Sequence, residues 1–124
     1  MFTFPAEPAL HRLLADFHAR EKVVAALCHG VAALLYVKLP DGTPLVRGRT
    51  ITGFANSEEE IADQLVGKQV MPFRIEDEAR KLGANFIAAP AWREFAFRDG
   101  RLVTGQQQYS GAAVARLVIE ALGV

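Results

Sequence analysis

The chain has 124 residues, 51% of them hydrophobic and 23% charged, which is enough for one globular domain with a core and too little for two. Fourteen Lys and Arg balance fourteen Asp and Glu with no run of basic residues, which argues against the clustered basic surface that a sequence-independent grip on nucleic acid or anionic lipid needs. The single cysteine cannot form an internal disulfide, and a reducing, cytoplasmic setting fits it best.

Met1 to Pro8 carries no positive charge ahead of its apolar residues, unlike a secretory signal. A helix is predicted from Ala9 to Arg20, where Leu10, Leu13, Leu14 and Phe17 form one apolar stripe for a sheet and Pro8 suits the first turn. Val23 to Cys28 is wholly apolar and reads as a central parallel strand buried on both faces. The longest apolar stretch, Val31 to Val37, falls far short of the ~20 residues of a membrane span. It ends at the turn residues Pro40-Asp41-Gly42, so the helix after the strand is short.

Arg49 to Phe54 suits another strand, and Asn56-Ser57-Glu58-Glu59 a helix start, with small polar caps ahead of acids. Pro72 opens a further helix with Glu76 to Glu78 early, Arg80 and Lys81 late, and Gly83 after it. Asn85 to Ala89 is a brief strand, and Glu94 to Arg98 with Leu102 to Thr104 flank Asp99-Gly100 as a β-hairpin. Gly111 to Leu122 closes the chain as a helix with Val114, Leu117, Val118 and Leu122 on one face. Strands alternating with helices predict an α/β sandwich, and no repeat or composition shift divides residues 1–124.

The chemistry concentrates at Ala26-Leu27-Cys28-His29-Gly30, where an apolar strand ends on a nucleophile-capable residue with small residues two before and two after it. That is the pattern of a nucleophile elbow, whose sharp strand-to-helix turn brings backbone close on both sides. The positive end of the following helix would favour thiolate over thiol, and His29 adds an imidazole beside it. The competing reading is an inert thiol on a core strand, the commoner fate of a lone cysteine.

Several motifs in order resemble the ThiJ/PfpI superfamily, whose fold is class I glutamine amidotransferase-like. Val23 to Leu35 is similar to its strand, cysteine elbow and helix, and Gly48 to Glu60 to its threonine-glycine-phenylalanine strand and acidic turn. Met71 to Glu78, Leu82-Gly83-Ala84 and Asp99 to Gln106 follow. The resemblance implies a flavodoxin-like parallel-sheet sandwich with the hairpin near its end, of which this chain matches only the C-terminal part.

Within the superfamily the chain looks closest to the branch of glyoxalase III enzymes and stress chaperones, which implies a triad of Cys28, His29 and Glu59, with Glu58 and Glu60 as adjacent alternatives for the acid. It further implies that Cys28 adds to methylglyoxal or a related reactive carbonyl and that His29 shuttles protons until a lactyl thioester forms, without cofactor or metal. Glutamine amidotransfer fits less well, because it draws its histidine from later in the chain and none follows His29.

His11 and His18 share a face of the first helix without metal-ligand companions, which suggests a surface role. Trp92, near Phe95 and Phe97, reads as packing beside the hairpin. Gln107 and Gln108 replace the asparagine and proline of the family's turn, and Ser110 is expected to cap the last helix.

Met1 aligns with the middle of the family's domain. The resemblance therefore implies that the first half is missing, with its second oxyanion donor and its early glutamate beside the cysteine, and that a strand built to be central is left uncovered. A homo-oligomer, a separate N-terminal-half chain or exchanged elements would supply the cover. A catalytically silent chaperone-like or assembly module, and a cysteine peptidase or amidase, are the other functions considered.

Overall fold

The computed structural model describes every residue from Met1 to Val124. After a 3-10 turn at Phe4–Ala6, Pro8 occupies the first turn of helix α1 (Pro8–Ala19), where its missing N–H costs nothing. Strand β1 (Val24–Leu27) runs into a 3-10 turn, Cys28–Val31, and one turn of α2 (Ala32–Leu35). Then come β2 (Thr50–Ile51), α3 (Asn56–Val66), α4 (Ile75–Lys81), β3 (Asn85–Phe86), β4 (Ala96–Asp99), β5 (Leu102–Gly105) and α5 (Gly111–Leu122).

The architecture is α/β, with parallel strands and one antiparallel hairpin. β5 lies between β1, its parallel neighbour, and β4, its antiparallel one, while β2 and β3 form a second parallel pair. Side chains join the two sheets: the Thr50 N–H donates to Oδ2 of Asp99 at 2.8 Å and the Thr52 N–H to Oγ1 of Thr104 at 2.9 Å. The core is built around α2, whose residues are all buried, with Val37, Leu45, Ile51, Ile75 and Phe86 packed in the same cluster. No helix is long and apolar enough to cross a membrane.

Several boundaries differ from the sequence expectation. β1 is not buried on both faces: only Val24 is buried, Ala25 is exposed, and the strand pairs on one edge alone because no other strand of the chain lies beside it. The strands expected over Arg49 to Phe54 and Asn85 to Ala89 shrink to two residues each. α4 begins at Ile75 rather than Pro72, since Arg74 stays extended while its guanidinium reaches the Asn56 carbonyl and Asp63 of α3. The hairpin pairs Asp99 with Leu102, so its tip is Gly100-Arg101, with Gly100 at φ +60. Leu13 is 54% exposed and drops out of the α1 stripe, whereas Leu14 and Phe17 pack against the core.

The caps differ too. Ala55 is the N-cap of α3, Glu58 accepts a hydrogen bond from its N–H, and the Asn56 amide donates to Asp77 instead. Ser110 precedes α5 without capping it, because its hydroxyl donates to Oε1 of Gln107 and accepts from the Phe95 N–H.

The close backbone approaches lie at glycines other than the elbow's. A Cβ on Gly30 would meet nothing within 4 Å, so the predicted crowding at that position is absent. A Cβ on Gly105 would sit 2.5 Å from Cγ2 of Val114 and 3.0 Å from Cβ of Leu27, and one on Gly53 would sit 3.1 Å from Cβ of Val31. Gly105 thus lets α5 and β1 close on β5, and Gly53 lets the chain after β2 lie against the elbow. Gly105→Ala should destabilise the fold by roughly 1–3 kcal/mol through overpacking, whereas Gly30→Ala should stay within about 0.5 kcal/mol of the parent. Urea unfolding of both variants checks the contrast, and equal effects would contradict it.

Candidate functional site

At the end of β1, Leu27 is extended at φ −141 and Val31 is already helical at φ −60, and Cys28 makes the turn at φ +57. A non-glycine residue adopts that left-handed conformation rarely and at a cost, a pattern that clusters where a side chain must be held out of the regular structure. The Cys28 Sγ lies 3.7 Å from Nδ1 of His29. The other ring nitrogen, Nε2, donates to Oε1 of Glu59 at 2.8 Å, since a carboxylate can only accept. Three residues from two segments therefore form one line: sulfur, imidazole, carboxylate.

Glu59 is 2% exposed and His29 keeps 24% of its side chain in solvent. Phe54 closes one face of the imidazole, with ring centroids 4.1 Å apart, and its N–H donates to the Cys28 carbonyl at 3.4 Å. The helix expected to aim its positive end at the sulfur is a single turn long, which leaves little macrodipole. The positive charge beside Cys28 is instead the His29 ring. Burial on its own would lower the pKa of that ring, but hydrogen bonds with Cys28 and Glu59 and attraction to both outweigh it, raising the pKa to about 9. At neutral pH the ring is an imidazolium, able to donate a proton to an oxygen that becomes negative next to the sulfur.

The three adjacent acids part company. On an α-helix successive side chains point about 100° apart, so neighbours cannot share a target. Glu59 meets His29; Glu58, wholly buried, accepts from the Ala55 N–H at 3.1 Å and the Trp92 N–H at 3.0 Å; Glu60 is exposed, 3.8 Å from Nη1 of Arg74. Sequence reasoning missed Phe54, and it weighed Glu58 only as an alternative acid for His29, not as the acceptor for the Trp92 N–H. The glycine-phenylalanine pair after β2 was the available signal for Phe54, whereas nothing local marked the contact between Glu58 and Trp92. Trp92, expected to pack beside the hairpin, is instead 36% exposed and meets Phe54 edge-on at 5.8 Å beside the site.

His11 and His18 are both half-buried, and Nε2 of His11 hydrogen-bonds with the Phe4 carbonyl at 2.7 Å. No group of three or more His, Cys, Asp or Glu side chains gathers where it could hold a metal ion. Surface cavities of about 290, 290 and 390 Å³ lie elsewhere, and neither Cys28 nor His29 lines any of them. Cys28 itself is half-buried and packs against the core.

Because the folded pKa of His29 lies above its unfolded value near 6.5, its contribution to stability is complete below about pH 6.5 and is lost as pH rises through about 9. Glu59→Gln should bring the His29 titration midpoint down from about 9, measured by NMR of the imidazole. It should also remove about 1–3 kcal/mol of stability at pH 6 and much less at pH 10. Urea unfolding at both pH values checks the second part, and an equal loss at both would contradict the ion pair.

No protein-family model matches the chain. The glutathione-independent glyoxalase HSP31 of Saccharomyces cerevisiae is 35% identical across 98% of this chain and 53% of its own length. The crystal structure of glyoxalase III from Candida albicans is 32% identical with a TM-score of 0.83, covering 97% of this chain and 52% of that one. A ThiJ/PfpI domain protein from Brachyspira murdochii, 20% identical, shares the fold with a TM-score of 0.69 over 98% of this chain and 54% of its own. The chain spans about half the length of the relatives it matches. Nearly the whole of this chain is thus similar to about half the length of the glutathione-independent glyoxalases, and its fold is the one seen in ThiJ/PfpI domain proteins.

Proposed function

We propose that residues 1–124 are the C-terminal part of a glyoxalase III-type domain, in which Cys28, His29 and Glu59 convert methylglyoxal or a related reactive carbonyl to lactate. The observation that carries this reading is the line from Cys28 through His29 to Glu59 at a left-handed elbow, in a chain related to glyoxalases. The Cys28 thiolate adds to the aldehyde carbon, and the His29 imidazolium gives its proton to the new alkoxide, forming a hemithioacetal. Neutral His29 then takes the proton from that carbon and returns it to the neighbouring carbon, while the hydroxyl proton of the first carbon passes to the second oxygen. A lactyl thioester results.

Water cleaves the thioester, releasing lactate and the thiol. One methylglyoxal and one water give one lactic acid: the aldehyde carbon is oxidised and the ketone carbon reduced, so no external electron acceptor is required. Glu59 stays ionised throughout and holds the imidazole in orientation. A reducing, cytoplasmic compartment suits a single cysteine that serves as nucleophile.

That none of the three cavities contains Cys28 supports a partner as part of this reading, because a reactive hemithioacetal needs enclosure from bulk water. A second copy of the chain or a separate first-half chain would provide it by covering the unpaired edge of β1. Beside that edge lies the 390 Å³ groove, with Phe17, Val23, Ala25, Val118 and Leu122 in its wall. The same surface favours a second reading, an assembly or chaperone-like module that binds through the groove and makes no use of Cys28.

The two readings separate on lactate formation from methylglyoxal by the purified chain, with molar mass recorded in the same buffer. We expect turnover from a species heavier than one chain, lowered at least about a thousandfold by Cys28→Ser. A folded assembly that forms no lactate would overturn the stand-alone enzyme and favour the module.

A further inference from the structure

Trp92 holds a place that packing alone does not explain. It is 36% exposed, so burial returns little, and its backbone sits at φ +64, a conformation bulky side chains adopt rarely and at a cost. Its N–H is held by Oε2 of Glu58, a carboxylate with no exposed surface whose other oxygen is spent on the Ala55 N–H. A buried carboxylate that serves two backbone amides is an expensive way to place a surface ring.

The loop is secured on both sides of Trp92 by further buried polar groups. Gln106 pairs with the N–H and the carbonyl of Ala89 at 2.8 and 3.1 Å, Gln107 donates from Nε2 to the Arg93 carbonyl, and Ser110 accepts from the Phe95 N–H at 3.1 Å. All three of these side chains are wholly buried. What the clamp delivers is an indole set edge-on to Phe54, with centroids 5.8 Å apart and planes 65° apart, while Phe54 lies 4.1 Å from the His29 ring.

We propose that Trp92 is a positioning residue for the chemistry at Cys28: clamped by Glu58, it braces Phe54 against the face of His29 and so keeps the imidazole aligned between Glu59 and the sulfur. This rests on the reading of Cys28, His29 and Glu59 as the reacting line. The physical reason is geometric. An imidazole bonded through both nitrogens still rotates about its Cα–Cβ and Cβ–Cγ bonds, and a rigid ring on its face removes that freedom. Small misplacements of a proton carrier cost large factors in rate. Glu58 and Glu59, adjacent on α3, would then act on one ring, Glu59 at its edge and Glu58 through the aromatic contacts at its face.

The test follows the Nε2–H proton of His29 by NMR, through its rate of exchange with water, in the native chain and in Trp92→Ala, Trp92→Phe and Glu58→Gln. Far-UV circular dichroism and urea unfolding report whether each variant folds. Exchange should quicken about tenfold or more in Trp92→Ala and Glu58→Gln, the loss expected when a hydrogen bond to a charged group is loosened. It should return towards the native rate in Trp92→Phe, which restores a ring on Phe54. Unchanged exchange in a folded Trp92→Ala or Glu58→Gln, or no rescue by Trp92→Phe, overturns the proposal. Should Trp92→Ala fail to fold, Glu58→Gln and Trp92→Phe decide it alone. Lactate formation is scored separately: exchange that responds in a protein forming no lactate retains the positioning role and defeats the glyoxalase reading, whereas native turnover with unresponsive exchange does the reverse.

Discussion

Helix α3 begins with two carboxylates buried side by side, Glu58 and Glu59, and the geometry around Cys28 hangs on how each is satisfied. Removing a charge from water is costly unless partners replace the lost hydration. Glu58 is served by two backbone N–H groups and Glu59 by an imidazolium, and both sit in the first turn, where the helix favours negative charge. The rotation between neighbouring helical residues sends one to the Trp92 loop and the other to His29. A single helix start thereby ties the segment after β1 to the segment before β4.

The elbow is fixed from the other side by close packing. Gly105 admits Val114 and Leu27 to distances that no side chain at that position would permit, which seats the end of β1 on β5 and α5. Gly53 does the same for the chain that carries Phe54. Both close approaches flank the left-handed turn at Cys28, which ends the strand. The strain at that residue is thus borne by contacts made far from it in sequence, as positive φ in non-glycine residues generally requires.

β1 carries the elbow, yet its second edge has no partner strand and its flank is apolar. Folded proteins seldom leave such an edge free, because unpaired N–H and C=O groups beside apolar surface invite another strand. The relatives that the chain matches are about twice as long as it is.

The sequence alone was enough to single out Cys28 and His29, to foresee a short helix after them, to place α1 and α5 within a residue, and to find the start of α3. Those features follow from neighbouring residues: an apolar run, a helical period, a proline at a first turn, a glycine after a last one. Motif order carried the resemblance across most of the chain for the same reason. The sequence could not say which of Glu58, Glu59 and Glu60 meets His29, because the answer depends on the rotation of α3 against an elbow thirty residues away. Nor could it show that Gly105 rather than Gly30 is sterically required, that Gln106 and Gln107 clamp the Trp92 loop, or that Arg74 delays α4. Each of these is a contact between segments distant in sequence, and such contacts exist only once tertiary packing has set the distances between them.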